Sequence, residues 1–500
     1  MDANAEKLND NQGSYLYKEN IRKNILLYGI MLICFIIIGL AVPSDFKESA
    51  PWISLLPAAF LVVYIFKTKR IMEALLLSVV LGCIIGYKFD FISIFGEIVY
   101  EAGADEDLIW NFTVCGMMGG LVAVVEKSGG GFAFSRFVSK RAKTAKQALL
   151  WTCLCSLLIS IDEFLNILTT GSAMRRLNDK YKTPREMQAY TIDSMGTPVV
   201  VFNPISTWAV FIGSLLVANG VGGSDSQVLS YIKLIPFNFY AVFAVIVLIL
   251  VILGVIPKIG PMKKAYERVE NGGALAPEGS EKIDIKAGEE MKEPENPKLY
   301  NFFAPIVVLV ASTIFFDFDL QLGVIVAIAF GFIFFCFQGM DPLEYVDTVL
   351  SGIKNMVFVL ILVAIAFMFA NISERIGFID YVVDIATANV SLQMITFVIF
   401  IIFAFTEFIM GISWGMYVIA IPIVVPVTLA LGGDPLVSAG AVIAAGVWGS
   451  HCCFYSDATL LTSSAVGCDN FRHAITQIPY GLIAGGFAAI SYLIFGFVYY

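Results

Sequence analysis

Five carboxylates stand in stretches that are otherwise apolar or hydroxyl-bearing: Asp162, Glu163, Asp193, Glu407 and Asp457. Their surroundings read SIDEFLNILTTGS (160–172), DSMGTPVVVFNPIS (193–206), FTEFIMGISWG (405–415) and GSHCCFYSDATLLTSS (449–464). An acid within hydrocarbon is expensive unless paired or ligated, so the default reading is functional. A hard cation such as sodium prefers a cage of oxygens. Asn166, Thr169, Thr170, Asn203, Ser206, Ser413, Ser456 and Thr459 supply them beside the acids, together with carbonyls of unwound backbone. A buried carboxylic acid also holds a proton more readily than one in water, so one group can carry either a proton or sodium. A soft or divalent metal is disfavoured, because His451 and His473 are the only histidines and neither has a histidine partner at ligand spacing.

Each residue has a plainer reading. Glu163 and Glu407 occupy equivalent places and suit either ion binding or acceptance of hydrogen bonds from a half-helix N-terminus. Asp162 and Asp457 break that equivalence, since Thr406 and, when MGTPVVVFNPIS (195–206) is laid on WGSHCCFYSDAT (448–459) with a nine-residue shift, Pro204 are their counterparts, and they are the preferred sodium-binding or proton-binding acids. Asp193 binds an ion or pairs with a basic neighbour. His451 is read as a core histidine with a proton role as the alternative, and His473, in the polar string CDNFRHAITQ, as a solvated loop residue. Thr169, Thr170, Ser463 and Ser464 have the alternative task of knitting helices together.

The elements that must position these groups are membrane helices. The 500 residues are 58% hydrophobic and only 15% charged, in a dozen or so apolar runs of spanning length, which excludes secreted, disulfide-stapled and nucleic-acid-binding classes. Nine cysteines lie almost all in apolar runs and read as small buried hydrophobes. The expected fold is an all-α polytopic membrane protein, an inverted-repeat secondary transporter with two re-entrant helical hairpins and interrupted transmembrane helices. Its expected divisions are a cytoplasmic N-terminal tail (1–24), an extra first transmembrane helix (25–50), a first repeat (51–256) with a hairpin near 147–174, a cytoplasmic linker (257–298), and a second repeat (299–500) with a hairpin near 391–431. The linker, rich in charge, Gly and Pro, reads as flexible. Gly196, Pro198 and Pro204 are expected to break one helix, and Gly449 with a run of hydroxyls another.

Two observations support the inverted repeat. IDEFLNILTTG (161–171) aligns with FTEFIMGISWG (405–415), which sets Glu163 and Glu407 244 positions apart, and Gly131-Phe132 pairs with Gly377-Phe378 at nearly that offset. With the N-terminus cytoplasmic, Lys47, Lys88, Lys233 and Arg375 face outside and the remaining 28 of the 32 basic residues face inside. Only about 28 residues separate two basic loops around 147–174, so a hairpin returns both to one side, and the second hairpin enters from the opposite side.

The strings DEFLNILTTGSAMRRLNDKYKTPRE, DSMGTPVVVFNPISTW, GISWGMYVIAIPIVVP and GSHCCFYSDATLLTSSAVGCDNFRHAITQIPY resemble the NhaC-type sodium/proton antiporter family, over about Gly131 to Tyr480. Asp162, Glu163, Phe164 and Asn166 match its acidic pair, with Glu for the usual second Asp. His451, Cys452, Ser456, Asp457 and Thr459 match its second-half signature, while Ser450, Phe454-Tyr455 and Ala458 depart from it. The resemblance implies a secondary transporter of the cell membrane, not an enzyme, exchanging sodium for protons without a cofactor. The alternative is a sodium- or proton-coupled carrier of a small organic acid or amino acid. Expected partners are the lipid bilayer, sodium ions and protons, with a small organic anion or amino acid as the alternative solute, no nucleic acid, and a homodimer as an open question.

Overall fold

The computed structural model describes residues 28–500 except 69, 140, 223–225, 281–297, 412 and 455. The expected tail 1–24 lies outside the described residues. The described residues are helical with short connections and contain no strand. They divide into two compact units, one comprising residues up to Ala102 with Phe367–Tyr381, the other Gly103–Ala366 with Val382–Tyr500.

In the first unit, α1 (Tyr28–Ala41), α2 (Leu56–Thr68), α3 (Ile71–Tyr87) and α4 (Phe91–Ala104) follow in order. Arg375, expected in a loop, ends a long helix and forms ion pairs with Glu97 at 3.1 Å and Glu101 at 2.7 Å.

The second unit opens with α5 (Glu106–Lys127), α6 (Gly130–Ser139), α7 (Ala145–Leu158) and α8 (Glu163–Lys180). At about 1.5 Å per residue, the 14 residues of α7 reach only about 21 Å, short of the roughly 30 Å hydrocarbon layer. After α9 (Arg185–Met195) comes the single turn α10 (Thr197–Val200), started by Gly196 and Pro198, then an unwound stretch containing Pro204, and then α11 (Thr207–Ala218). Proline lacks the N–H that a continuing helix would use, which is why this span is broken. α12 (Gln227–Leu234) and α13 (Phe239–Leu253) follow, with a 56° bend between their axes.

α14 (Gly260–Glu270) corrects the flexible-linker reading for residues 257–280. It buries Met262 and Ala265, and its Arg268 grips buried Glu186 on α9 through two hydrogen bonds of 2.7 and 2.8 Å. Arg185 donates its backbone N–H to the Leu275 carbonyl, and Asp469 donates its own to the Ser280 hydroxyl. Composition signals solvated chain, but alternating apolar and charged positions suffice to seat one amphipathic helix. Residues 281–297 of the expected linker lie outside the described residues.

The remainder is α15 (Leu299–Phe315), α16 (Leu320–Cys336), α17 (Pro342–Arg375), α18 (Phe378–Asn389), α19 (Leu392–Met410), α20 (Ser413–Ala430), α21 (Pro435–Cys452), α22 (Asp457–Val466) and α23 (Asn470–Tyr499). Gly411, in the left-handed region at φ 69°, ends α19. Gly449, expected to break its helix, lies inside α21, and the break falls later, at Cys453–Ser456. Among the described residues seven helices are long and apolar enough to cross a membrane, or eight if the bent α12–α13 pair counts as one span. The chain is a multi-pass membrane protein.

Arg268→Ala leaves the Glu186 carboxylate buried without its counter-charge and should cost on the order of 2–3 kcal/mol, read as a lowered melting temperature of the detergent-solubilised protein. Arg268→Lys should recover only part, because a single ammonium cannot reproduce the two-pronged contact.

Candidate functional site

The second unit gathers buried acids at its helix breaks. The first lies between α7 and α8, where Asp162 caps α8: its Oδ1 accepts the Leu165 N–H at 2.9 Å, and its Oδ2 accepts the Thr207 hydroxyl at 2.9 Å. The next residue, Glu163, accepts the Trp208 indole N–H at 3.0 Å and a short hydrogen bond from the Thr197 hydroxyl. Both acids are buried, and every one of these donors is neutral. The two broken segments therefore meet, since Thr197 and Thr207 flank the unwound stretch before α11.

Asn166 ties the same breaks together. Its Oδ1 accepts the Ser156 hydroxyl at 2.5 Å and the Thr170 hydroxyl at 3.3 Å, while its Nδ2 donates to the Ser156 carbonyl at 2.9 Å. The Ser156 hydroxyl also reaches the Met195 carbonyl, at 2.6 Å, where α9 ends. Half-buried Asn203 donates to the Ser160 carbonyl at 3.0 Å, and Ser206 caps α11 by accepting the Ala209 N–H at 3.1 Å. Thr169 is half-buried, one position from the bonded Thr170.

A second cluster surrounds Asp193 on α9. Its Oδ2 accepts from Gln477 Nε2 at 2.7 Å, His473 Nε2 at 3.0 Å and the Thr459 hydroxyl at 3.5 Å. Ser456 and Thr459 share a hydroxyl contact of 2.8 Å, and both reach the Ser450 carbonyl, at 2.7 and 3.4 Å. His451 joins Tyr240 at Nδ1, 2.6 Å, and Ser194 at Nε2, 2.9 Å, with Tyr190 stacked beside it.

In a third position Glu407, fully buried on α19, accepts the Ser413 hydroxyl at 2.9 Å. Gly449 of α21 faces it, and a methyl group there would overlap the Glu407 side chain. This glycine serves close helix approach. Trp208, bound to Glu163, stacks on Trp414 with ring centroids 4.4 Å apart, and Trp414 follows Ser413 in the chain, so the Glu163 and Glu407 neighbourhoods are joined through two rings.

Two expectations are corrected. Asp457 is exposed, whereas the other four carboxylates are buried. It is the first residue of α22, whose buried positions are Ala458, Thr459, Thr462, Ser463, Ala465 and Val466, so helical periodicity turns Asp457 to the opposite face with exposed Leu460. His473 is no loop residue: it is fully buried in the first turn of α23, begun by Asp469, which accepts the Arg472 N–H at 2.9 Å. Residue types alone hid His473, Gln477, Thr197, Thr207 and Trp208. The one available signal was the four-residue spacing of His473 and Gln477, which shares a helix face.

Residues 199–497 match the Na+/H+ antiporter family. The chain belongs to that family. It is 25% identical over 505 residues to an uncharacterized protein of Haemophilus influenzae, covering 91% of this chain and 92% of that protein. Two solved structures are similar at a TM-score of 0.47. The Alcanivorax borkumensis YdaH transporter is 13% identical, with 78% of this chain and 87% of that chain covered. MtrF of Neisseria gonorrhoeae is 15% identical, with 82% and 84% covered. Membership in the family makes the chain a secondary transporter, and its buried acids are the groups to test.

Gly449→Ala should force α21 away from Glu407 and lower stability by about 1–3 kcal/mol. Gly486→Ala is the control: a methyl group there meets nothing within 4 Å, so its melting temperature should stay level or rise.

Proposed function

We propose that the protein exchanges sodium for protons across the cell membrane, with its N-terminus cytoplasmic and the basic loops on the same side. The observation that carries this reading, within a family of such antiporters, is the Asp162–Glu163 pair: two adjacent buried carboxylates whose hydrogen-bond donors are all neutral. Neutral donors orient an acid without cancelling its charge. A mobile cation must then neutralise it, and either a proton or sodium serves.

Asp162 is the exchanging acid. Asn166, whose backbone N–H binds the Asp162 carbonyl at 3.0 Å, Thr170 and the Met195 carbonyl supply the neutral oxygens, with Thr169, Asn203 and Ser206 beside them. Asp457, exposed in the first turn of α22, receives the ion from the aqueous side before it passes inward. One acid cannot hold both cations at once, so each sodium that leaves requires a proton to enter. Movement of the two helical hairpins, α7–α8 and α19–α20, presents the site to one side and then the other, in two inverted repeats.

In proteoliposomes, Asp162→Asn should reduce sodium-driven proton movement at least tenfold, as should Asp457→Asn, with both variants folded by thermal melting. Full exchange in either removes that acid from the path. Uptake of a radiolabelled organic anion or amino acid driven by a sodium gradient, with no sodium/proton exchange in the same vesicles, would replace antiport with coupled solute uptake.

A further inference from the structure

The Asp193 cluster has a chemistry of its own. Asp193, His473, Gln477, Thr459 and Ser456 are all fully withdrawn from solvent. Two donors meet one carboxylate oxygen, Oδ2, namely the Gln477 amide and the His473 ring N–H, with the Thr459 hydroxyl 3.5 Å away. The other oxygen, Oδ1, has no hydrogen-bond partner, and neither does the Gln477 amide oxygen Oε1. Two buried acceptors without donors, one of them part of a carboxylate, cost stability wherever they occur. They persist in folded proteins where something else satisfies them.

The geometry points to a second sodium site, separate from the Asp162–Glu163 break, in which Asp193 Oδ1 and Gln477 Oε1 are the anchoring ligands. Both belong to side chains joined by a 2.7 Å hydrogen bond. The break between α21 and α22 supplies further oxygens, namely the Ser450 carbonyl and the hydroxyls of Ser456 and Thr459, which already meet one another. One carboxylate with neutral oxygens suits a monovalent hard cation better than a divalent one, which gathers more charge. His473 is a positioning residue: its bond to Oδ2 fixes the carboxylate and leaves Oδ1 for the ion. The inference borrows from the antiport reading only the identity of the cation.

Sodium binding to the purified full chain tests it. Asp193→Asn should lose one bound sodium ion per chain in equilibrium binding of radioactive sodium. Gln477→Leu should weaken that site about tenfold, while Gln477→Glu keeps it. The chain has only two histidines, so nitrogen-labelled histidine gives a readable resonance spectrum of the unmutated protein. Replacing choline by sodium at fixed pH and ionic strength should shift the His473 signal, and the shift should vanish in Asp193→Asn and survive in Asp162→Asn. An unmoved His473 signal in the unmutated protein, or an undiminished sodium count in folded Asp193→Asn, overturns the site. Loss of proton exchange in Asp162→Asn with the His473 shift intact supports two separate sites, whereas a shift abolished by Asp162→Asn overturns that separation.

Discussion

A carboxylate enclosed by apolar helices has to find its hydrogen-bond donors inside the protein, and an unbroken helix has few to spare. Its backbone N–H groups are committed to the carbonyls four residues back, except in the first turn. Asp162 sits at such a first turn and uses the Leu165 N–H directly. Glu163, in the same first turn, and Asp193, within α9, draw instead on side chains from other segments, Thr197 and Trp208 for one, Thr459, His473 and Gln477 for the other. The interruptions at Gly196–Ser206 and Cys453–Ser456 are therefore what brings hydroxyls and carbonyls to the acids.

Such a centre also needs the helices around it to approach closely. Gly449 lets α21 lie against Glu407 without a side chain between them. At the other end, Arg268 of α14 neutralises Glu186 on α9, the helix that carries Asp193, and Tyr480 accepts the Ile259 N–H at 3.0 Å while stacking on Tyr190. Burial pulls against the Arg268 charge, but the Glu186 carboxylate outweighs it and holds the guanidinium pKa above its ordinary value.

Much of this was legible in residue order, because hydropathy and the cost of charge in lipid are strong constraints. The break near Gly196 follows from Gly196, Pro198 and Pro204, whereas the second break lies beyond Gly449, at the residues after Cys452. What escaped depends on rotation about a helix axis and on distant partners. Asp457 and Thr459 are two positions apart, which on a helix means nearly opposite faces, and only the packing of α22 decides which one faces inward. His473 lies among Asp, Asn, Arg and Gln, a composition that reads as loop until Asp469 is seen to cap a helix there. The segment 257–280 fails for the related reason that charged residues can serve one amphipathic face.

The equivalence of Glu163 and Glu407 acquires a physical meaning from their partners. Each accepts a hydroxyl near a helix break, Thr197 for one and Ser413 for the other. Their surroundings then diverge: Glu163 has an indole donor and an acidic neighbour, whereas Glu407 has a glycine-lined helix pressed against it. The stack of Trp208 on Trp414 connects them, because Trp208 is held by Glu163 and Trp414 is covalently adjacent to the Ser413 that holds Glu407. Stacked rings resist sliding apart, since offset contact is lost over small displacements. A shift of either segment is thus felt at the other acid.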